Sequence, residues 1–193
     1  MKYQIERAQT QVVKGSLTDI AKSTGASLAE TFLGADVVVI VDTSSSMEAP
    51  DAPGGKTRYD AACTELANLQ ATIPGKVAVI SFSGYSQTMF CPNGQPFNLG
   101  GGTDLAGALT FAKVADVPDM RFVVISDGQP DSERDALKIA ASYQNRIDTI
   151  FVGPENGPGR TFLAKLASAK NGQAVTADRV AQLSSKVQML LAA

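Results

Sequence analysis

Asp42, Ser44 and Ser46 occupy alternate positions directly after an apolar run, Val37-Val38-Val39-Ile40-Val41. On an extended backbone alternate side chains point the same way, so one carboxylate and two hydroxyls are expected to converge where a strand meets a loop. Oxygen donors of that kind suit a hard divalent cation. Ser and Asp are also ordinary turn and N-cap residues, and these three positions alone fit a turn equally well. Two distant segments shift the balance. In Gly100-Gly101-Gly102-Thr103-Asp104-Leu105 a hydroxyl follows three glycines, which let a backbone approach a ligand closely. Arg121-Phe122-Val123-Val124-Ile125-Ser126, a second strand-like run, ends in another acid, Asp127, followed by Gly128-Gln129-Pro130.

These residues need a scaffold that carries them to one place. The Val/Ile run reads as a strand buried on both faces, at about 36–41. A helix follows, on which Tyr59, Ala62, Cys63, Leu66, Leu69 and Ile73 recur at helical spacing, which marks Cys63 as packing; Pro74-Gly75 ends it. Val77–Phe82 is a second strand. Ser86–Phe90 is a third, antiparallel to it because the connection is too short for a crossover. Asn93-Gly94 predicts a turn, with Gln95–Asn98 in a small hairpin. Helices after Leu105, over 132–143 and from about Arg160 alternate with strands at 121–126, 147–152 and near 173–175. Ser16 and Ser27 read as helix starts on either side of Gly25, Tyr3–Arg7 as an edge strand, and Val180, Leu183, Val187, Leu190 and Leu191 as the apolar stripe of a final helix docked on the sheet.

Strands alternating with helices imply an α/β domain with a mostly parallel sheet covered on both faces. In such sheets ligands sit beyond the carboxyl ends of the strands, where the winding reverses. Asp42–Ser46, Gly100–Thr103 and Asp127–Pro130 all leave from that edge, so their oxygen-bearing side chains are expected to meet.

Composition narrows the function. A chain of 193 residues reads most economically as one domain with a substantial core. A net charge of −2 offers nucleic acid no electrostatic footprint. The absence of histidine removes the commonest zinc ligand and the commonest general base. No stretch has the length or apolarity of a signal peptide or a membrane span, so a cytoplasmic location is expected, with Cys63 and Cys91 reduced.

Taken together, Asp42-x-Ser44-x-Ser46, the Gly-Gly-Thr-Asp-Leu around Thr103 and the Ile-Ser-Asp-Gly-x-Pro around Asp127 resemble the metal-ion-dependent adhesion site of a von Willebrand factor type A domain. The resemblance covers roughly residues 35–190 and leaves out 1–33, which gives a helical extension at 1–33 and the domain itself at 34–193. It implies a Rossmann-like, doubly wound sheet of six strands, with one antiparallel edge strand and helices on both faces. It also implies that Ser44 and Ser46 ligate the ion through their hydroxyls, that Thr103 does so directly or through water, and that Asp42 and Asp127 act largely through water. Magnesium, with manganese or calcium as alternatives, fits neutral hydroxyls backed by carboxylates. An ion with so few anionic donors seeks a carboxylate from outside, so the expected partner is a protein presenting an Asp or Glu. Neither membrane nor nucleic acid is expected as a partner, and no enzyme activity.

Other readings remain open beside it. A haloacid dehalogenase-type phosphatase or phosphotransferase also places an Asp at the end of its first strand, but wants a carboxylate two positions on, where this chain has Ser44, and a lysine with no obvious counterpart. An accessory scaffold in an ATP-driven remodelling or chelatase complex is a further possibility. Around the site, Glu48, Asp51 and Asp104 read as solvated loop acids. Asp131 and Ser132 read as caps of the next helix, and Lys56 and Arg58 as exposed cations able to steer an acidic partner. Tyr85 and Pro92–Pro96 are expected at the contact rim.

Overall fold

The centre of the sheet is the strand that the Val/Ile run predicts. In the computed structural model, which describes residues 11–52, 55–72, 74–154 and 157–176, β1 spans Val37–Asp42 and every residue of it is buried. Val38 and Ile40 face one apolar cluster while Val37, Val39 and Val41 face another, which is why the run is continuous rather than alternating. β2 (Val77–Phe82) and β4 (Arg121–Ser126) flank β1 in parallel, β5 (Ile147–Phe151) and β6 (Ala174–Thr176) extend the sheet beyond β4, and β3 (Thr88–Phe90) lies antiparallel on β2. The six-stranded order is β3-β2-β1-β4-β5-β6. Connections diverge on the two sides of β1, so the reversal of winding falls between β1 and β4. The register pairs Val41 with Ile125 and so carries Asp42 to the side of Ser126.

Helices cover both faces. α3 (Arg58–Thr72) buries Ala62 and Leu66 on the face of Val37 and Val39, with Cys63 half-buried beside them. α4 (Leu105–Ala112), α5 (Glu133–Ala141) and α6 (Gly159–Ser168) lie on the other face. The apolar positions expected of α4 (Leu105, Ala108, Leu109 and Ala112) are all buried. Tyr143, just past α5, packs edge-on against Phe122 at 4.9 Å and donates its hydroxyl to the Leu109 carbonyl at 2.6 Å. That bond satisfies the one polar atom of a buried ring.

Before the sheet, α1 (Leu17–Thr24) and α2 (Leu28–Leu33) form as their caps predict. Ser16 accepts from the Asp19 amide, Ser27 and Glu30 close a capping box, and Gly25 ends α1 in the left-handed region. Leu17 is buried in the main core cluster, and the Val13 and Thr18 amides donate to the carbonyls of Asn93 and Pro92. The turn at Asn93-Gly94 is present, but no ladder involves Gln95–Asn98. Phe97 and Leu99 instead turn into the core beside Leu66, so this segment follows the packing of its side chains rather than a hairpin. The expected strand at Tyr3–Arg7 and the final helix with Val180 and Leu183 lie outside the described residues. Among the described residues no helix is long and apolar enough to cross a membrane.

Candidate metal centre

Asp42 closes β1 with its carboxyl fully buried. Oδ1 accepts the Ser44 amide at 2.8 Å and Oδ2 accepts the Ser126 hydroxyl at 2.6 Å, while the Ser126 Oγ itself accepts the Gly128 amide at 2.9 Å. Burial pushes Asp42 up from 3.8 to about 6; the bonds from Ser126 and Ser44 oppose that rise without cancelling it. Beyond Asp42 the ladder ends, Ser44 stays extended, and Ser45–Glu48 then forms a short 3-10 turn. The turn brings the Ser44 and Ser46 hydroxyls to 3.1 Å. The expected convergence of these two hydroxyls is therefore real, but a turn produces it rather than strand alternation. Ser44 is buried and Ser46 exposed, so the pair reaches from the interior to the surface.

Backbone bonds lace the glycine loop to this turn. The Gly100 amide donates to the Thr43 carbonyl at 2.9 Å, the Ser45 amide to the Gly101 carbonyl at 3.1 Å, and the Gly101 amide to the Ser45 hydroxyl at 2.8 Å. Thr103 is buried, and its amide donates to Asp131 Oδ1 at 3.0 Å while the Asp131 amide returns a bond to the Thr103 carbonyl at 3.0 Å. Asp131 therefore fastens the second loop to the third. It does not cap α5, a task that falls to Ser132 through the Asp135 amide. Asp104, expected as a solvated loop acid, caps α4 by accepting the Gly107 amide at 2.9 Å.

The third loop carries Asp127, whose side chain is only 4% exposed. Its Oδ2 accepts from Arg58 Nη1 at 2.8 Å, and its Oδ1 is buried with no hydrogen-bond partner. Gly128 follows with φ +79°, and a Cβ there would lie 2.4 Å from the Gly159 carbonyl oxygen. The third loop thus turns against the start of α6 at a point where no side chain fits.

Two residues matter more than the sequence reading allowed. Ser126 belongs to the strand-end motif, yet no role was expected for it; the register of β4 against β1 is what aims its hydroxyl at Asp42. Arg58, expected to be an exposed cation, is 14% exposed and held between two carboxylates, with Nε donating to Asp51 Oδ1 at 2.7 Å and Nη2 to Asp51 Oδ2. The fork from Arg58 holds the Asp51 carboxyl below the usual carboxylate range. The signal for this pair was an acid and an arginine on either side of a Pro/Gly-rich stretch, which by itself is common on surfaces. Tyr85 is 87% exposed. Pro92–Gly94 is instead engaged by Thr18, Val13 and Gln70 and supports the first helix.

Asp42, Ser44, Ser46, Thr103 and Asp127 thus lie on three loops tied to one another at the carboxyl edge of β1 and β4. Among the described residues no three His, Cys, Asp or Glu side chains gather as a metal-ligating group, so any ion here would depend on hydroxyl oxygens.

No protein-family description matches the sequence, and no curated protein resembles it. Solved structures do resemble the fold. The manganese-loaded TRAP protein of Plasmodium vivax superposes with a TM-score of 0.55 at 16% identity, covering 77% of this chain and 71% of that one. A von Willebrand factor type A protein from Catenulispora acidiphila gives 0.55 at 16% identity over 82% of this chain and 42% of its own. Proximal thread matrix protein 1 of the mussel byssus gives 0.54 at 17% identity over 81% and 47%. This chain thus spans less than half the length of the last two. Identities this low establish the fold alone: a Rossmann-like, mostly parallel sheet of the von Willebrand factor type A kind.

Proposed function

We propose that the chain is a divalent-metal-dependent protein-binding module rather than an enzyme, with an ion that completes its shell on an acidic group of a partner. The observation that carries this reading is Asp127 Oδ1, a carboxylate oxygen buried without a partner in a loop bonded to those bearing Ser44, Ser46 and Thr103. Leaving such an atom unpaired is costly, and a cation or its water is what would satisfy it. Ser44, Ser46 and Thr103 would hold the ion, with Asp42 and Asp127 supplying charge behind them. Both oxygens of Asp42 are already engaged by Ser44 and Ser126, which suits a carboxylate that organises the loop and acts at one remove. Magnesium keeps several waters and tolerates such a donor set, and manganese can replace it as a probe. The manganese-loaded neighbour of the same fold supports divalent binding in this architecture.

Calorimetric titration with manganese tests the reading. Wild type is expected to bind, and Ser46→Ala and Thr103→Val to bind at least about tenfold more weakly, as loss of a direct ligand implies. A glutamate-bearing peptide should then associate only while the metal is present. Equal heats from wild type and both variants would overturn the proposal.

A further inference from the structure

Arg58 opens α3 and commits its guanidinium to acids on two sides. Nε and Nη2 fork Asp51, while Nη1 reaches Asp127 Oδ2 at 2.8 Å. A fork of this kind sets two N–H groups of the guanidinium on one carboxylate and leaves another free to reach a second acid. Asp127 therefore receives one directional N–H from a cation that it shares with Asp51. The two acids are exposed to different degrees: the Asp51 side chain is 41% exposed and that of Asp127 is 4% exposed. The carboxylate in the site is thus fixed through one oxygen while the other stays unpaired.

The geometry points to Arg58 and Asp51 as a positioning pair for the ion. Arg58 fixes Asp127 through Oδ2 so that Oδ1 remains available to the cation, and Asp51 absorbs the positive charge that would otherwise oppose it. Without Asp51 the guanidinium would compensate Asp127 alone and would repel a divalent ion held by it. Asp51 thus acts on the metal through Arg58 rather than by touching it. The inference rests on the metal-binding reading above.

Manganese titration of wild type, Asp51→Asn, Arg58→Gln and the double variant, at one salt concentration, tests it. Asp51→Asn is expected to weaken binding about tenfold, the scale of one partly screened charge near a cation. In the Arg58→Gln background the same change should alter affinity by less than about twofold, because the charge that Asp51 offsets is gone. Arg58→Lys retains the charge but cannot fork Asp51 and reach Asp127 together, so it should weaken binding much as Asp51→Asn does. Because the Asp51 side chain is 41% exposed, loss of its pair with Arg58 should lower the melting temperature by no more than about 2–4 °C and leave the variant fully folded at the titration temperature, which separates affinity from folding. An unchanged affinity in Asp51→Asn, or an equal loss in both Arg58 backgrounds, would overturn the inference while leaving the metal site standing. Wild type that binds no manganese would overturn both.

Discussion

Asp42 offers the sharpest test, because its cost in the metal-free protein has a sign and a size. Burial raises its pKa from 3.8 to about 6, so the folded chain holds a proton that the unfolded chain releases. Between those two values the native state binds more protons, and stability must fall as pH rises. Below 3.8 both states are protonated and the penalty is absent; above about 6 both are ionised and it is fully present. A shift of roughly 2 units at about 1.4 kcal/mol each amounts to about 3 kcal/mol across the window. Urea denaturation with a chelator, from about pH 3.5 to 7.5, on wild type and Asp42→Asn isolates the effect. Asp51, whose carboxyl is held low by Arg58, contributes a slope of opposite sign, but it does so in both proteins and cancels in the difference. Stability relative to Asp42→Asn should fall by up to about 3 kcal/mol as pH rises. Saturating magnesium should remove much of that loss, since a bound cation favours the ionised carboxylate. Parallel pH profiles for the two chelated proteins would refute the argument.

Other perturbations follow from the same contacts. Ser126→Ala strips a donor from Asp42 Oδ2 and an acceptor from the Gly128 amide, both buried; a loss of about 2 kcal/mol in chemical denaturation is expected. Gly128→Ala faces a positive φ and the Gly159 carbonyl 2.4 Å from its new methyl group. It should cost about 2 kcal/mol or more and weaken manganese binding by displacing Asp127, with calorimetry as the check. Cys63 is pushed by burial from 9.0 to about 12, and Cys91 is raised as well. At pH 8 the thiolate of Cys63 should be roughly a thousandfold scarcer than in the unfolded chain, so a disulfide reagent should label native protein far more slowly than protein in urea.

The parts of the fold that could be read in advance are those where one physical cause acts along a continuous stretch. Val37–Val41 is apolar at every position because both faces of β1 are covered, and the short link after Phe82 leaves an antiparallel strand as the only geometry. Strand order then does the long-range work. Once β1 and β4 are neighbours, Asp42 and the Ser126-Asp127 pair meet without any local signal between them. The hairpin at Gln95–Asn98 failed as a prediction because Phe97 and Leu99 gain more from burial than a short ladder would return. The hydroxyls of Ser44 and Ser46 came together for a reason different from the expected one, since Ser44 is the extended cap of a 3-10 turn and the chain bends at Ser45 to bring Ser46 back to it.

Charge was harder to read than shape. Whether Arg58 steers a partner or serves the site depends on contacts with Asp51, seven positions away, and Asp127, sixty-nine positions away. Asp51 lies in the loop before the helix that Arg58 opens and Asp127 lies on another strand's loop, so no periodic pattern of polarity along the chain encodes the pair. The same holds for Asp131, whose position before α5 suggests a cap but whose oxygen is taken by Thr103. At an edge where loops from separate strands converge, an acid is recruited by the nearest unsatisfied amide or guanidinium, and which group that is follows from the sheet order rather than from the neighbouring residues. The residues of the candidate site could be named from motifs, whereas the charges that surround them emerge only with the fold.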